Sequence, residues 1–566
     1  MILRRVLVAN RGEIAVRVLR TCQRLGIETG LAVSDADADS VPARLADKTI
    51  RIGPTSAADS YLNVAAVVAA AAAAGADAIH PGYGFLSENP RLARACEAAG
   101  IVFIGPSADV LEATGDKLAA RNHAVAAGLP VLPGGLVSTG GASGMGGASR
   151  MGGTGEGADV AGDAGVLAHA ADAARLAARI GYPVLVKAAG GGGGRGLRVV
   201  RDPGQLAGAV AVASAEAQAA FSDPRVYLER YVSPARHVEV QLLGDGENVI
   251  HLGDRDCSVQ RRYQKLIEEA PAPLLGETLR VGMRAAAVTL GLQLKYQGLG
   301  TVEFLVDAEA AAFWFLEVNA RIQVEHPVTE AVTGLDLVAE QIAIAEGRGL
   351  RLAQADVNLS GHAIECRINA EDPAAGFRPS PGTVTRAVFP AGPGIRVDTH
   401  VQAGSAVPPQ YDSLLAKLVV SGPSRAEALA RLRGALARCE IGGVATTLGV
   451  HAALAADAEL EITGWAARRG LPFVVFTNGT TPDAHALRAD HAGHRVRLAG
   501  RGDADPGQQR GSGLRPGRLP AGDGAGRARA GRAAAAGRPA GRAALCRCRG
   551  RCGPGGLVPR VHHARA

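Results

Sequence analysis

The chain reads as a mixed α/β and α+β protein of three folded regions, followed by a tail of different composition. Three observations predict this. Short apolar runs alternate with helix-spaced text over residues 1–115, the signature of a parallel sheet covered by helices. Strand-like segments then dominate to Val318, interrupted by a five-glycine run at 190–194. Beyond about Val475 no apolar period survives.

In order along the chain, Arg4-Arg-Val-Leu-Val-Ala-Asn10 predicts a short buried strand. Ile14, Val18 and Leu25 lie near helical spacing within Gly12–Leu25, and Ile27–Val33 predicts a second strand. The Ala-rich stretch Val64–Ala74 stops at Gly75-Ala-Asp77 and leads into strand text at Ala78-Ile79. A membrane span needs roughly 20 apolar residues, so this stretch predicts a buried helix. Residues 134–165 are Gly- and Ser-rich without an apolar period and are expected to be a disordered loop inserted into the second region. Structure is expected to resume with a strand at Arg179–Lys187, followed by strands at Val226–Glu229, Val238–Leu243, Gly300–Val306 and Phe313–Val318. Leu335, Val338, Ile342 and Ala345 mark a helix face, with Gly347 closing it. A third, α+β region runs from Gly361 to about Arg469.

The net charge of +7 belongs to the tail. Residues 476–566 carry 17 Arg, five Asp and neither Lys nor Glu, which is +12 and leaves −5 for the rest of the chain. The tail is rich in Arg, Gly, Ala and Pro, residues of GC-rich codons, and is expected to be disordered or read from a shifted frame. Its Cys546, Cys548, Cys552 and His562-His563 fit no common zinc spacing. The other five cysteines are scattered through apolar or helical text, which suits buried thiols in a reducing compartment. With no signal-like N-terminus either, a cytoplasmic, non-membrane protein is expected.

Four segments carry chemistry. Lys187-Ala-Ala-Gly-Gly-Gly-Gly-Gly-Arg-Gly196 places bare backbone N–H groups after a strand, suited to closing over phosphates, although a flexible linker has the same composition. In Glu317-Val-Asn-Ala-Arg-Ile-Gln-Val-Glu325, polar and apolar residues alternate strictly. In extended chain that gives one face carrying Glu317, Asn319, Arg321, Gln323 and Glu325. A solvated edge strand shows the same pattern. The mixture nevertheless divides into hard oxygen ligands for Mg²⁺, a guanidinium for a carboxylate-like anion and a carboxylate base, with Glu303 on a neighbouring strand able to share the metal. Arg255 to Lys265 holds four cations, suited to anion binding or to a plain charged surface. His80-Pro-Gly-Tyr-Gly-Phe-Leu-Ser-Glu88 predicts only an ordered loop at a sheet edge.

Together these segments resemble the biotin carboxylase family of ATP-grasp enzymes over about residues 1–470. The likeness runs through Ala9-Asn-Arg-Gly-Glu-Ile-Ala15, the 80–89 loop, Gly115-Asp-Lys117, the glycine run, Pro234–Glu239, Asp256-Cys-Ser258, Glu268–Pro273, Glu317–Glu330, Gly361–Ala370 and Pro408–Asp412. Arg-Ile-Gln-Val-Glu-His is its most specific part. The resemblance implies a Rossmann-like N-terminal domain (1–115), an ATP-grasp domain (116–347) and a C-terminal biotin carboxylase domain (348–470) ahead of the 476–566 tail. It implies ATP, Mg²⁺ or Mn²⁺ as cofactors, with biotin on a carrier as substrate. Lys117 and Lys187 would meet phosphates, Gly193 and Gly194 cover them, and Glu229, Arg230, Tyr231 and Val232 hold adenine. His237 and Tyr263 would lie near the nucleotide, Tyr263 standing where many members have His. Glu303, Glu317 and Asn319 match metal ligands, the two glutamates also facing ATP. Lys265, Arg321, Gln323, Val324 and Glu325 match a bicarbonate pocket, with Lys265, Arg321 and Glu325 catalytic, and Arg386 matches the residue that steadies biotin.

None of the four methionines, Met1, Met145, Met151 and Met283, begins the Met-Lys motif of a biotinyl domain. Biotin is therefore expected on a separate carrier protein, alongside carboxyltransferase subunits, with the chain itself a homodimer. The resemblance implies the first half-reaction of an acetyl-CoA or other acyl-CoA carboxylase, while the residues themselves leave the final acceptor open among acetyl-CoA, other acyl-CoAs, urea and 2-oxoacids. Another ATP-grasp carboxylate–amine ligase is the competing enzyme reading, against which Arg-Ile-Gln-Val-Glu-His and Arg386 speak. Nucleic-acid binding through the tail is the competing non-enzymatic one, not expected because the tail lacks aromatics and order.

Overall fold

The computed structural model describes residues 1–137, 171–188, 197–221, 224–232, 235–261 and 264–456, and the backbone of two short strands beyond them. Its first layer is a five-stranded parallel sheet in the order Lys48–Gly53, Glu28–Ser34, Arg5–Val8, Ala78–His80, Val102–Phe103. Helix Gly12–Arg24 packs Ile14, Val18, Leu19 and Cys22 into the core beside Val6 and Val8. Burying each of the larger aliphatic side chains contributes about 1.5–3 kcal/mol. The Ala-rich helix runs Val64–Ala74, capped by the Asn63 side chain and closed by Gly75 at φ 65°. It buries Val67, Ala70, Ala71 and Ala74 and leaves its other side partly exposed, so it covers the sheet rather than lying wholly inside. Among the described residues no helix is long and apolar enough to cross a membrane.

An eight-stranded antiparallel sheet forms the centre, ordered Ala312–Asn319, Gln297–Asp307, Arg236–Asp245, Val249–Arg261, Gln264–Ala270, His362–Asn369, Leu414–Gly422, Ile395–Thr399. It crosses position 347/348 without a break, because Gln264–Ala270 pairs with His362–Asn369. A separate four-stranded antiparallel sheet is ordered Gly134–Leu136, Val226–Arg230, Val184–Ala188, Arg198–Val200. The helix at 171–180 and helix Pro203–Phe221 supply apolar residues to the same small core.

Two expectations are corrected here. The insertion does not begin at residue 134, because Gly134–Leu136 is a strand against Tyr227–Glu229. The backbones approach so closely that a Cβ on Gly134 would meet the Leu228 carbonyl oxygen at 2.6 Å. Residues 138–165 of that expected loop lie outside the described residues. The strand expected at Arg179–Lys187 begins only at Val184, after the preceding helix has ended at residue 180. Of the tail, only Leu487–Ala489 and Val496–Leu498 are described, paired antiparallel, and the rest of 476–566 lies outside. The five described cysteines are free and buried.

Candidate active site

A cleft of about 1270 Å³ opens between the four-stranded sheet, one end of the central sheet and the N-terminal domain. Lys187 enters from strand Val184–Ala188, its ammonium donating to Glu229 Oε2 at 2.7 Å. Glu229, Arg230, Tyr231 and Val232 line the same wall, with Leu185, Leu305 and Leu316 adding an apolar slot suited to a planar base. Lys117 begins helix Lys117–Ala126, where the Asp116 side chain caps the N–H groups of Leu118 and Ala119. Its ammonium stands 3.9 Å from Glu317 Oε2.

Glu303 and Glu317 face each other across neighbouring strands in direct register. Burial and the charge of Glu303 push Glu317 up, with Lys117 opposing. Burial alone would also raise Glu303, but Lys265 and His237 outweigh it and hold its carboxyl well below the usual range. His237 Nε2 lies 2.8 Å from Glu303 Oε2. Asn319 Nδ2 donates to Glu303 Oε1 at 2.9 Å. Two facing carboxylates and an amide oxygen are the hard donors a divalent cation takes, and the raised Glu317 is the repulsion such a cation relieves. These residues fit the magnesium expected from the sequence.

Regular strand pairing ends at Asn319, so the extended run expected to Glu325 is corrected: the chain bends at Arg321 and turns at Val324-Glu325. The alternation nonetheless works except at Val324, which is half-buried and lines the cleft with the polar residues. Val318, Ala320 and Ile322 are buried in the core, and Glu317, Asn319, Arg321, Gln323 and Glu325 all line the cleft. His326 closes the turn through a 2.7 Å contact from Nδ1 to the Gln323 carbonyl, with the ring held neutral by burial and by Lys417, Arg17 and Arg396. Pro327 then sits in the first turn of helix His326–Thr333.

The polar groups from Arg321 to Glu325 are gripped. Arg321 Nε donates to Glu88 Oε2 at 2.9 Å, and the Ala320 N–H donates to Glu88 Oε1 at 3.0 Å. Lys265 donates to Glu239 at 2.7 Å, Glu303 at 3.1 Å and Glu325 at 2.5 Å. Gln323 Nε2 donates to Glu303 at 3.0 Å and its oxygen accepts from Arg255 Nη2 at 2.6 Å. Burial would raise Glu325, but Lys265, Arg367 and Arg255 pull it well below the usual range. It is therefore ionised at neutral pH. A buried ion pair is weak evidence of stability, so this crowding is better read as orientation.

Of the residues expected from the sequence, Lys117, Lys187, Glu229 to Val232, His237, Lys265, Glu303, Glu317, Asn319, Arg321, Gln323, Val324 and Glu325 share this cleft. Gly193, Gly194 and Tyr263 lie outside the described residues. Arg386 is a correction. It sits on strand Arg386–Val388, 59% exposed, paired with Glu440 at 2.7 Å, and away from the cleft lining. Arg367, which the motif reading passed over, occupies the cleft: Nη2 donates to Glu325 Oε2 at 2.8 Å and Nε to Glu268 Oε1 at 2.5 Å. The cation cluster at 255–265 also divides. Arg255 is fully buried between Glu239, Gln241, Thr301, Thr329 and Gln323, while Lys265 reaches the cleft. The 80–88 loop does more than end a sheet, since Tyr83, Gly84, Phe85 and Glu88 line the cleft.

Comparison with known proteins agrees with this architecture. Family models described as biotin carboxylase N-terminal domain, carbamoyl-phosphate synthase L chain ATP-binding domain, and biotin carboxylase C-terminal domain match residues 2–111, 155–353 and 365–464. The biotin carboxylase of Nostoc sp. is 48% identical over 450 residues, 79% of this chain and 94% of that protein. Biotin carboxylase 1 of Bacillus subtilis is 46% identical, with the same two coverages. Among solved structures, a biotin carboxylase from Campylobacter jejuni aligns with TM-score 0.73 and 42% identity over 81% of this chain and 96% of that one. The biotin carboxylase domain dimer of Hydrogenobacter thermophilus 2-oxoglutarate carboxylase, solved with MgADP, ADP and bicarbonate, aligns with TM-score 0.73 and 44% identity over 81% and 95%. The chain thus belongs to the biotin carboxylase family, ATP-dependent ligases that carboxylate biotin.

Proposed function

We propose that the cleft activates bicarbonate with ATP as carboxyphosphate and transfers the carboxyl group to biotin on a separate carrier. The observation that carries this is the joining of two half-sites in one cleft: phosphate-facing lysines with opposed carboxylates, and an anion pocket where Arg321, Gln323 and Glu325 meet Lys265 and Arg367.

Adenine lies against Glu229–Val232, and Lys117 and Lys187 offset phosphate charge. Glu303, Glu317 and Asn319 hold the magnesium ion, which neutralises charge developing on the transferred phosphoryl group. Arg321 leaves Glu88 to grip bicarbonate, and Gln323 and Val324 complete that pocket. Glu325 takes the bicarbonate proton. Its basicity rises as Lys265 and Arg367 turn from it toward the anion, which removes the charges that hold its carboxyl low. Bicarbonate oxygen attacks the γ-phosphorus, and the bond to the β,γ-bridging oxygen breaks as ADP leaves. The carboxyphosphate formed releases CO₂ and phosphate beside biotin; the phosphate takes the ureido proton, and the ureido nitrogen attacks CO₂ to form carboxybiotin. Arg321 and Arg367 stabilise the enolate-like oxygen that develops. Arg367 takes the role that the sequence reading gave to Arg386.

The solved relative carrying MgADP and bicarbonate supports the ligand set, and its description as a domain dimer supports a homodimer here. Carboxybiotin then passes to a carboxyltransferase. An acyl-CoA acceptor was the expectation from sequence, whereas relatives include subunits or domains of pyruvate, 2-oxoglutarate and urea carboxylases. The test is ADP release in the presence of free biotin. It should require both bicarbonate and biotin, and disappear in Arg321→Ala and Glu325→Ala while both still bind ATP. Release driven equally by amine acceptors without bicarbonate contradicts the reading.

A further inference from the structure

Behind the anion pocket lies a lysine that the proposed chemistry does not use. Lys417 belongs to strand Leu414–Gly422, where register sets it opposite Arg367 on one side and Asp398 on the other. Its side chain is wholly buried. The ammonium donates to the Val324 carbonyl at 2.9 Å, stands 3.0 Å from Glu13 Oε2 and 4.0 Å from Asp398 Oδ2. Glu13 comes from the first turn of helix Gly12–Arg24 and also accepts from the Tyr83 hydroxyl. Asp398 is already held by Arg396 at 2.9 and 2.6 Å.

Burying an ammonium is costly unless every proton finds a partner. A lysine serving only to tie domains together needs carboxylates alone. This one gives a hydrogen bond to a main-chain oxygen in the middle of the bicarbonate turn. Its cross-strand neighbour Arg367 grips the next residue, Glu325, at 2.8 Å. Two adjacent cations on one sheet face thus hold two consecutive residues, one by its carbonyl and one by its carboxylate. The Val324 carbonyl and the Glu325 N–H share one trans peptide plane, so drawing the carbonyl toward Lys417 turns the N–H the opposite way.

We propose that Lys417 is a positioning residue for the bicarbonate pocket: by fixing the Val324 carbonyl it sets the orientation of the Val324–Glu325 peptide and of the base that follows. Glu13 supplies the compensating charge, which gives the Asn10-Arg-Gly-Glu13 motif a purpose in the cleft wall. The inference rests on the reading of 321–325 as the bicarbonate pocket.

The test uses the full chain and steady-state ADP formation with free biotin, varying bicarbonate and ATP separately. Lys417→Met alone strands Glu13, so the informative variant is Glu13→Gln/Lys417→Met, compared with Glu13→Gln and with Lys417→Arg. In the double variant the KM for bicarbonate should rise about tenfold or more over Glu13→Gln, with the KM for ATP within about twofold. Lys417→Arg should recover most of that loss. An unchanged bicarbonate KM overturns the proposal, as does an equal rise in both constants. Failure of the double variant to fold while Glu13→Gln folds also overturns it, since Lys417 would then be a stability residue. Wild type that makes no bicarbonate-dependent ADP sinks the underlying functional reading instead.

Discussion

Arg367 and Arg386 both belong to the C-terminal region, and both stand in strands, yet the fold treats them oppositely. Arg367 lies inside the eight-stranded sheet, 17% exposed, forked between Glu268 and Glu325. Arg386 lies in a two-stranded ladder with Glu440–Gly442, paired with one exposed glutamate. What a strand's register faces decides how firmly its cation is held. Exposed ion pairs like Arg386–Glu440 contribute about 0–1 kcal/mol and constrain little. A guanidinium held by two buried carboxylates already stands in the cleft beside the base when substrate arrives.

The largest expected effect breaks or keeps that contrast. Arg367→Ala should lower biotin carboxylation by up to about a thousandfold, with nucleotide binding retained, whereas Arg386→Ala should stay within about threefold. Parallel rate measurements decide, and equal losses would remove the distinction. The second contrast is between lysines. Lys265 meets three carboxylates and is 13% exposed, while Lys117 is 32% exposed with one contact at 3.9 Å. Lys265→Met should cost about 3 kcal/mol of unfolding free energy, and Lys117→Met under about 1 kcal/mol, by denaturant titration.

The third prediction concerns pH. Burial pushes Glu268 up from 4.5 to about 7, with Arg367 opposing and Glu325 adding to the rise. The folded chain therefore holds this proton more tightly than the unfolded one. The resulting stability is fully present below about pH 4.5 and is lost as pH rises to about 7. Wild type should gain most over Glu268→Gln at acid pH, with the gap narrowing toward pH 7 in melting curves. A gap that widens with pH contradicts this. The smallest effect is Arg386→Ala on stability, expected below about 1 kcal/mol in the same titration.

Much of this was readable from the residues alone. The parallel sheet of the first region followed from its apolar runs, and the alternation in 317–325 named five cleft residues. Their common direction survives the bend at Arg321 because Ile322 is buried and pins the chain between two polar neighbours. Arg367 was equally legible in principle. Glu365, Arg367 and Asn369 alternate with Ile364, Cys366 and Ile368, the same signal in another strand. What the sequence lacked was the partner, since Glu268 and Glu325 reach Arg367 only once distant strands are in register. Lys417, a lone cation within Leu414–Gly422, carried a similar hint. The strand at Gly134–Leu136 was hidden because glycines chosen for close backbone approach look like a linker.

The proposed chemistry requires Glu325, once Lys265 and Arg367 have turned from it, to act on bicarbonate in the same cleft that holds ATP. Transfer of isotope from labelled bicarbonate to biotin tests it most directly. Wild type should label biotin only with ATP present, and Glu325→Gln should bind ATP normally yet transfer no label. Labelling by Glu325→Gln at the wild-type rate would contradict the account.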